Sequence, residues 1–266
     1  MSGSFDDQGR LVISDGRIIT AFGKKRSGKS VLGLMLAKSY PGDVLVVDVA
    51  GDDGPSGSAV HVLRGDVEEL SRRWPERHRE LGPQGQWQRM IVRYVPDPGS
   101  KTFAEDVDAV IGIGLAHGKS EEHKGHRGAC VLIHEIGVVA PVHRTQPHMR
   151  RLLMSNRHSH VTAILCGPRP VDVDPLVLQQ SDLVYIFTIM NPNDRRRLAE
   201  SIGWAPRDID DAVAELDDHE YLRYDANEGP PRDGAEDMRL TSWPALPEDA
   251  VKAALAPVEH QRGTTW

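Results

Sequence analysis

A glycine-rich stretch near the amino terminus carries residue types and spacing suited to binding a polyphosphate. Residues 23–30 match the pattern G-x-x-x-x-G-K-[ST] in full, and Lys29 and Ser30 are its last two residues. Glycines let the backbone curl so that several N–H groups point at one anion, and the amino end of a following helix adds positive potential. In this chemistry the lysine contacts the β- and γ-phosphates, and the hydroxyl lies on Mg²⁺. The stretch predicts that ATP and Mg²⁺ are held by Gly23, Lys24, Lys25, Arg26, Ser27, Gly28, Lys29, Ser30 and Val31.

The segments on either side of this stretch are those that the pattern requires. Residues 17–22 form a β-branched, apolar run typical of a buried strand, and residues 31–38 have a helical pattern. A strand, a glycine-rich loop and a helix, in that order, are the context in which the pattern binds phosphate. These flanks disfavour the alternative interpretation, a glycine turn with surface lysines.

A second polar element suited to act on a bound nucleotide follows the apolar run at residues 130–133. Glu135 lies where a catalytic base is expected in an ATP-hydrolysing protein. His134 lies where an aspartate usually holds Mg²⁺, and a neutral imidazole is a poor ligand for that hard cation. Either Ser30 and phosphate hold most of the metal, with Asp48 as a further carboxylate, or hydrolysis is slow. A polar strand end with no chemistry is the alternative for the 134–135 pair.

The elements that must position these residues alternate between strand and helix, which favours an α/β fold with a mostly parallel sheet between helices. Strands are predicted over residues 17–22, 44–49, 90–95, 129–133, 161–166, 183–187 and 221–224. Helices are predicted over residues 31–38, 67–80, 103–116, 147–157 and 193–202, and loops over 118–128 and 227–234. The predicted organisation is a leading segment (1–15), one nucleotide-binding domain (16–245), and a C-terminal helix and tail (246–266).

Length and composition allow a sizeable core and exclude some classes of protein. The chain has 266 residues, of which 39% are hydrophobic, and a net charge of −7. This charge excludes a generally basic, histone-like binder but not a local basic channel. Cys130 and Cys166 lie in apolar runs, which predicts small buried hydrophobes rather than an oxidising compartment. No apolar run reaches the roughly 18 residues of a membrane span, and the polar amino terminus is unlike a signal peptide. A cytoplasmic protein is therefore expected.

Two arginine positions and the strand between them point to a family. Arg157 precedes the predicted strand at 161–166, and an Arg-Pro pair at 169–170 follows it. This spacing resembles the signature of FtsK–HerA type DNA translocases, in which an arginine precedes a strand that ends in a polar residue, glutamine, arginine and proline. Pro168 stands where that family has the glutamine that senses the γ-phosphate. Residues 173–187 also resemble the family.

The resemblance implies a RecA-like core, a homo-oligomeric and usually hexameric ring, and ATP-driven movement of double-stranded DNA. It places Arg157 at the ATP of the next subunit, where an arginine neutralises charge in the transition state. Arg169 is a second candidate for that role. The small size is similar to that of genome-packaging ATPases from tailless viruses with an internal membrane, which adds a viral capsid vertex as a partner. A solvated arginine at a helix end is the alternative for Arg157.

Movement along DNA requires positive loops that contact phosphates without reading sequence. A basic cluster follows the predicted acidic strand end, and Lys101 is a second candidate. The alternative for both is a solvated face, and residues 194–197 are predicted to be a helix surface or a subunit contact. The cluster consists of His143, Arg144, His148, Arg150 and Arg151.

Two other function classes stay open at the level of sequence. In a P-loop kinase of a small substrate, residues 195–197 would form a lid over phosphate. A non-hydrolysing, ATP-dependent assembly protein is suggested by His134 and Pro168. A GTPase is disfavoured because the chain has no Asn-Lys-x-Asp motif to read the base.

Overall fold

The computed structural model describes most of the chain. The predicted leading segment, most of the loop predicted at 118–128 and most of the loop at 227–234 lie outside the described residues. Within residues 73 and 75–79 only the backbone is described. The described ranges are 16–51, 54–57, 60–79, 89–118, 128–228 and 240–258.

A nine-stranded sheet forms the centre of the described chain. The strands are β1 (Ile18–Phe22), β2 (Asp43–Val47), β3 (Val60–Arg64), β4 (Ile91–Val95), β5 (Ala129–Ile133), β6 (Val161–Gly167), β7 (Leu183–Ile186), β8 (Tyr221–Asp225) and β9 (Leu240–Trp243). Their order is β3-β4-β2-β5-β6-β1-β7-β8-β9. Strands β1 to β7 run parallel, whereas β8 pairs antiparallel with β7 and with β9. The carboxyl ends of seven strands therefore meet at one edge, which we call the carboxyl edge; the opposite side is the amino edge.

Helices cover both faces of this sheet. They are α1 (Lys29–Ser39), α2 (Val67–Arg79), α3 (Phe103–Gly118), α4 (Pro147–Ser155), α5 (Pro175–Gln179), α6 (Pro192–Ile202), α7 (Pro206–Ala214) and α8 (Glu248–Leu255). One core contains the buried side chains of α1, and the other contains those of α2 to α7. In the part of the chain that the structure describes, no helix combines the length and the apolar character needed to cross a membrane.

The strands contribute alternate residues to the two cores, as their period of two requires. In β5, Val131 and Ile133 face one core, while Cys130 and Leu132 face the other. Both cysteines are buried and neither forms a disulfide bond, as the sequence predicts. Burial raises the pKa of the Cys130 thiol to about 12, so this sulfur stays protonated at neutral pH.

Two strands and one helix were missed by the sequence analysis. β3 is an outer strand of the sheet with only Val60 and Leu63 buried, and β9, the outer strand on the other side, has only four residues, none of them buried. Short edge strands carry little of the hydrophobic pattern that reveals buried strands. The third missed element is α7, whose few buried side chains are Ile209 and Val213. Within the predicted C-terminal helix and tail, α8 packs along α1.

Candidate nucleotide-binding site

The glycine-rich loop joins β1 to α1 at the carboxyl edge, and both of its glycines are required by geometry. A Cβ on Gly23 would lie 2.6 Å from both the Phe187 Cβ and the Ser27 Oγ, so only hydrogen fits there. Gly28 has φ of 103°, a conformation that side chains disfavour. Arg26, between them, has a positive φ of 65°. The loop therefore turns sharply from β1 into the amino end of α1, where helical N–H groups are available to an anion.

The amino end of α1 is open to an anion. Among the described residues, no side chain caps this end, and the first turn has no acidic residue. The Lys29 side chain is buried, and its Nζ donates to the Lys24 carbonyl oxygen at 3.5 Å, which folds the ammonium over the loop. The Ser27 Oγ is buried and has no hydrogen-bond partner within the described chain. Such a cradle of N–H donors and one ammonium fits a polyphosphate.

A cavity of about 700 Å³ opens over this loop, a size typical of ligand sites. Lys29, Ser30 and Glu135 all line it. Pairing of Phe22 with Gly167 sets the loop beside Pro168, which lines the cavity as well. The structure thus brings together the loop and the residue predicted to be the base.

Glu135 has an unusual backbone conformation. It is the second residue after β5, is exposed, and has φ and ψ of 65° and 60°, in the left-handed region. A non-glycine residue there costs of order 1 kcal/mol and is frequently found at functional sites. The turn presents this carboxylate to the cavity.

The three residues predicted to hold Mg²⁺ lie in different surroundings. Ser30 lines the cavity. His134 is buried, and its backbone N–H donates to the Val47 carbonyl oxygen. The Asp48 carboxylate accepts from the Arg93 Nε at 2.9 Å and from backbone N–H groups of Gly51 and Gly54. Asp48 therefore anchors a loop and a buried guanidinium, and this geometry does not support the metal role predicted for it. No cluster of three or more metal-binding side chains occurs among the described residues.

Arg157 lies at the amino edge, at the other end of β6 from the cavity. It begins a 3₁₀ turn before that strand, and its Nη2 donates to the Asp182 Oδ1 at 2.7 Å. The Arg17 Nη1 donates to the same oxygen at 3.2 Å. The Arg157 side chain remains 69% exposed. Seven residues of extended strand separate Arg157 from the carboxyl edge, a distance of about 20 Å, so it cannot reach the loop of its own chain.

Arg169 lies at the carboxyl edge but is held within the chain. It follows Pro168, and its Nε donates to the Asp194 Oδ2 at 3.2 Å. The hydrogen bond and the charge of Asp194, followed by the charge of Asp172, raise the pKa of the Arg169 guanidinium above its usual value. This side chain would have to leave two carboxylates to reach a phosphate.

The predicted DNA-contacting cluster surrounds the beginning of α4. Asp108 on α3 fixes this helix, because its carboxylate accepts from the backbone N–H groups of His148 and Met149 at 3.0 and 2.8 Å. All five predicted residues of the cluster are exposed, and Lys101 is exposed in the turn before α3. The exposed residues of the cluster are His143, Arg144, His148, Arg150 and Arg151.

Residues 195–197, which a kinase would use as a lid, lie on α6. The Arg195 guanidinium pairs with Asp210 on α7 and donates to the carbonyl oxygens of Ile189 and Met190. An arginine held by three groups of its own chain is poorly suited to a mobile lid.

Several residues at the cavity were missed by the sequence analysis. Phe187, directly after β7, lies beneath the loop, and His219 lies beside Gly28 with a positive φ of 70°. Asp218, next to His219, is 3.7 Å from the Lys24 Nζ. Ala245, Leu246 and Val251, from the C-terminal segment, also line the cavity. The end of β7 was predictable as a neighbour of the carboxyl edge, but no local pattern indicates the others.

A mostly parallel sheet, a phosphate-type loop between β1 and α1, and an acidic residue at the end of β5 together define a P-loop NTPase fold with a RecA-like core. The α/β fold predicted from the sequence is thereby confirmed.

Comparison with protein-family models and with curated proteins found no match. Solved structures do match. The genome packaging NTPase B204 from Sulfolobus turreted icosahedral virus 2, in complex with AMPPCP, has a TM-score of 0.63 and 17% identity, covering 87% of this chain and 98% of that one. Its complex with ATP-gammaS has a TM-score of 0.61 and 18% identity, covering 86% and 98%. The bacterial conjugative coupling protein TrwBdeltaN70 has a TM-score of 0.57 and 10% identity, covering 91% and 90%. At these identities the similarity establishes the fold.

Proposed function

We propose that this protein is an ATPase that moves double-stranded DNA as a ring of identical subunits. The observation that carries the proposal is the single cavity in which Lys29, Ser30 and the strained Glu135 come together. The further step, packaging of a viral genome at a capsid vertex in the host cytoplasm, is supported by similarity to a genome packaging NTPase.

The residues of the cavity divide the reaction between them. The N–H groups of the loop and the Lys29 ammonium bind the β- and γ-phosphates, and Ser30 would hold Mg²⁺, which neutralises charge on the phosphate oxygens. The Glu135 carboxylate orients a water molecule in line with the γ-phosphate and accepts its proton. Pro168 lines the same cavity without a polar group, so sensing of the γ-phosphate must rest on other residues.

A ring is proposed because it would bring Arg157 of one subunit to the cavity of the next. Arg157 is exposed at the amino edge, where it cannot reach its own cavity. In a head-to-tail assembly the amino edge of one subunit would face the carboxyl edge of the next. An arginine supplied in this way stabilises the charge of the transition state.

The test is a mixing experiment on oligomers of known size. Subunits with Arg157→Ala and subunits with Glu135→Gln are each expected to be inactive alone. In a mixture, some interfaces join an intact base to an intact arginine, so partial turnover should return. Double-stranded DNA should stimulate the wild-type rate, and the stimulation should fall steeply with salt.

Other results would favour the alternatives. A monomer with full turnover independent of DNA would contradict the motor and favour a kinase. Binding of ATP without any turnover would favour the assembly protein, for which Pro168 in the cavity is the supporting observation.

A further inference from the structure

The cavity above the loop has two chemically different ends. Its polar lining residues are those of the loop, Glu135, and His219 beside Gly28. A second part of the lining comes from the C-terminal segment and the end of β2, and consists of Ala50, Ala245, Leu246 and Val251. No side chain of this second group has a hydrogen-bonding atom. With phosphates at the loop, the rest of a nucleotide meets an apolar wall.

We infer that this wall, formed mainly by residues 245–251, binds the nucleobase and discriminates only weakly between different bases. The inference rests on the proposed function and names the substrate class of the same site as nucleoside triphosphates in general. Adenine and guanine differ in their hydrogen-bonding groups, and a hydrophobic pocket rejects such near-isosteres only weakly. Strong discrimination needs polar side chains that a wrong base leaves unpaired, and the lining residues of the wall that the structure describes have none.

The wall is held in place from two sides. The Lys38 Nζ, at the end of α1, donates to the Ala256 carbonyl oxygen at 2.7 Å and to that of Ala253 at 3.5 Å. These are carbonyl groups at the end of α8, where a cation is favourable. On the other side the Val258 N–H donates to the Ser56 carbonyl oxygen at 2.7 Å.

The second attachment explains the buried carboxylate of Asp48. Asp48 holds the Gly54 N–H at 2.9 Å, two residues before Ser56. At Gly57, an added Cβ would lie 2.3 Å from the Val258 carbonyl oxygen, so the two segments are in close contact. Asp48 thus supports the wall through the 54–57 segment.

The first test measures equilibrium binding of ATP, GTP and CTP to the full chain and to Leu246→Ser. The wild-type affinities for the two purine nucleotides are expected to agree within about fivefold. The substitution should weaken both by about tenfold, because apolar contact with the base is lost. Inorganic tripolyphosphate, which has no base, should bind both proteins equally. Leu255→Ser, at an exposed position of α8, is the matched control and should bind like the wild type.

The second test leaves the cavity untouched and loosens the wall. Lys38→Ala removes the two hydrogen bonds from α1 to the end of α8 and should weaken ATP and GTP binding about threefold to fivefold, while tripolyphosphate binding stays the same. Lys252→Ala removes an exposed ammonium whose partner, Glu248, lies on α8 itself, so nucleotide affinity should not change. Melting curves without nucleotide confirm that each variant is folded.

The outcomes separate the inference from the proposed function. If the wild type binds neither nucleotides nor tripolyphosphate, both the inference and the proposed function are overturned. If ATP binds and is hydrolysed but GTP binds more than about 100-fold more weakly, the inference is overturned and the proposed function stands. Equal weakening of tripolyphosphate and ATP by Leu246→Ser would also overturn it, because the wall would then act on the loop rather than on the base.

Discussion

The two edges of the sheet differ in their backbone strain and in the arrangement of their charged side chains. Of the five non-glycine residues with positive φ in the described chain, three line the nucleotide cavity at the carboxyl edge: Arg26, Glu135 and His219. The amino edge has one such residue, His160 before β6, and an ion-pair network in which Arg17 and Arg157 share the buried Asp182. Backbone strain concentrates where groups must be held for a ligand. The carboxyl edge therefore has the features of a ligand-binding site, whereas the amino edge exposes the Arg157 guanidinium to solvent.

The largest effect is expected at the loop. Lys29→Ala removes the ammonium that faces the β- and γ-phosphates, so turnover should fall more than about 1000-fold, and ATP affinity should fall with it. Steady-state turnover and equilibrium nucleotide binding are the measurements. Lys252→Ala changes an exposed side chain of α8 that does not line the cavity, and it should behave like the wild type. Unchanged turnover and affinity in Lys29→Ala would contradict the assignment of the nucleotide-binding site to the carboxyl edge.

At the amino edge, Arg157→Ala should lower turnover about 1000-fold if the arginine acts on the next subunit. ATP binding and oligomer size should change little, since Arg157 does not touch its own cavity. His158→Ala alters the adjacent exposed residue and is the control. Normal turnover in oligomeric Arg157→Ala would leave the exposed guanidinium with only its structural contact to Asp182.

Glu135→Gln keeps the shape of the side chain and removes the base. Turnover should fall about 100-fold or more, while ATP still binds and persists in the complex. Single-turnover measurements separate the chemical step from binding. If this variant hydrolyses ATP at the wild-type rate, the base lies at another residue of the carboxyl edge.

Asp48 and Asp182, a buried aspartate at each edge, allow a comparison of stability between the edges. Asp48→Asn leaves the Arg93 guanidinium, whose side chain is 12% exposed, without its carboxylate. The free energy of unfolding should fall by about 3 kcal/mol, measured by urea denaturation. Asp182→Asn should lower the free energy of unfolding by less, because Arg157, one of its two arginine partners, is mostly solvated. The opposite ranking would contradict this account of the two edges.

The smallest effect concerns DNA. Replacing Arg150 and Arg151 together with alanine should reduce the slope of log affinity against log salt by about 2 if both contact phosphates. Filter binding or fluorescence anisotropy across a salt series measures the slope. A double alanine variant of the exposed Arg196 and Arg207, on α6 and α7, is the matched control. Equal slopes in both variants would move the DNA contact away from α4.

The sequence analysis worked best where local pattern and local structure coincide. The loop at residues 23–30 lies between β1 and α1 as predicted, since its glycines, its lysine and both flanks are consecutive in the chain. Glu135 was found for the same reason, as the residue that ends an apolar strand. The catalytic and binding roles of these residues stay predictions until the variants are measured.

Residues brought in from distant parts of the chain could not be found in this way. His219 and Leu246 line the cavity of a loop about 200 residues before them, and neither lies in a recognisable motif. The ion pair of Asp48 was missed as well, because its position after a strand indicates a polar site, whereas its partner Arg93 comes from the neighbouring strand β4.

By itself the sequence determined the alternation of strands and helices, the buried cysteines and the phosphate-type loop, because each depends on the order and periodicity of neighbouring residues. Only the tertiary structure decided the strand order, the edge on which each arginine lies and the apolar wall above the loop. Periodicity states that a strand is buried, but not which strands lie beside it. That choice is made by the packing of side chains far apart in the chain, and it separates Arg157 from the cavity and brings α8 onto α1.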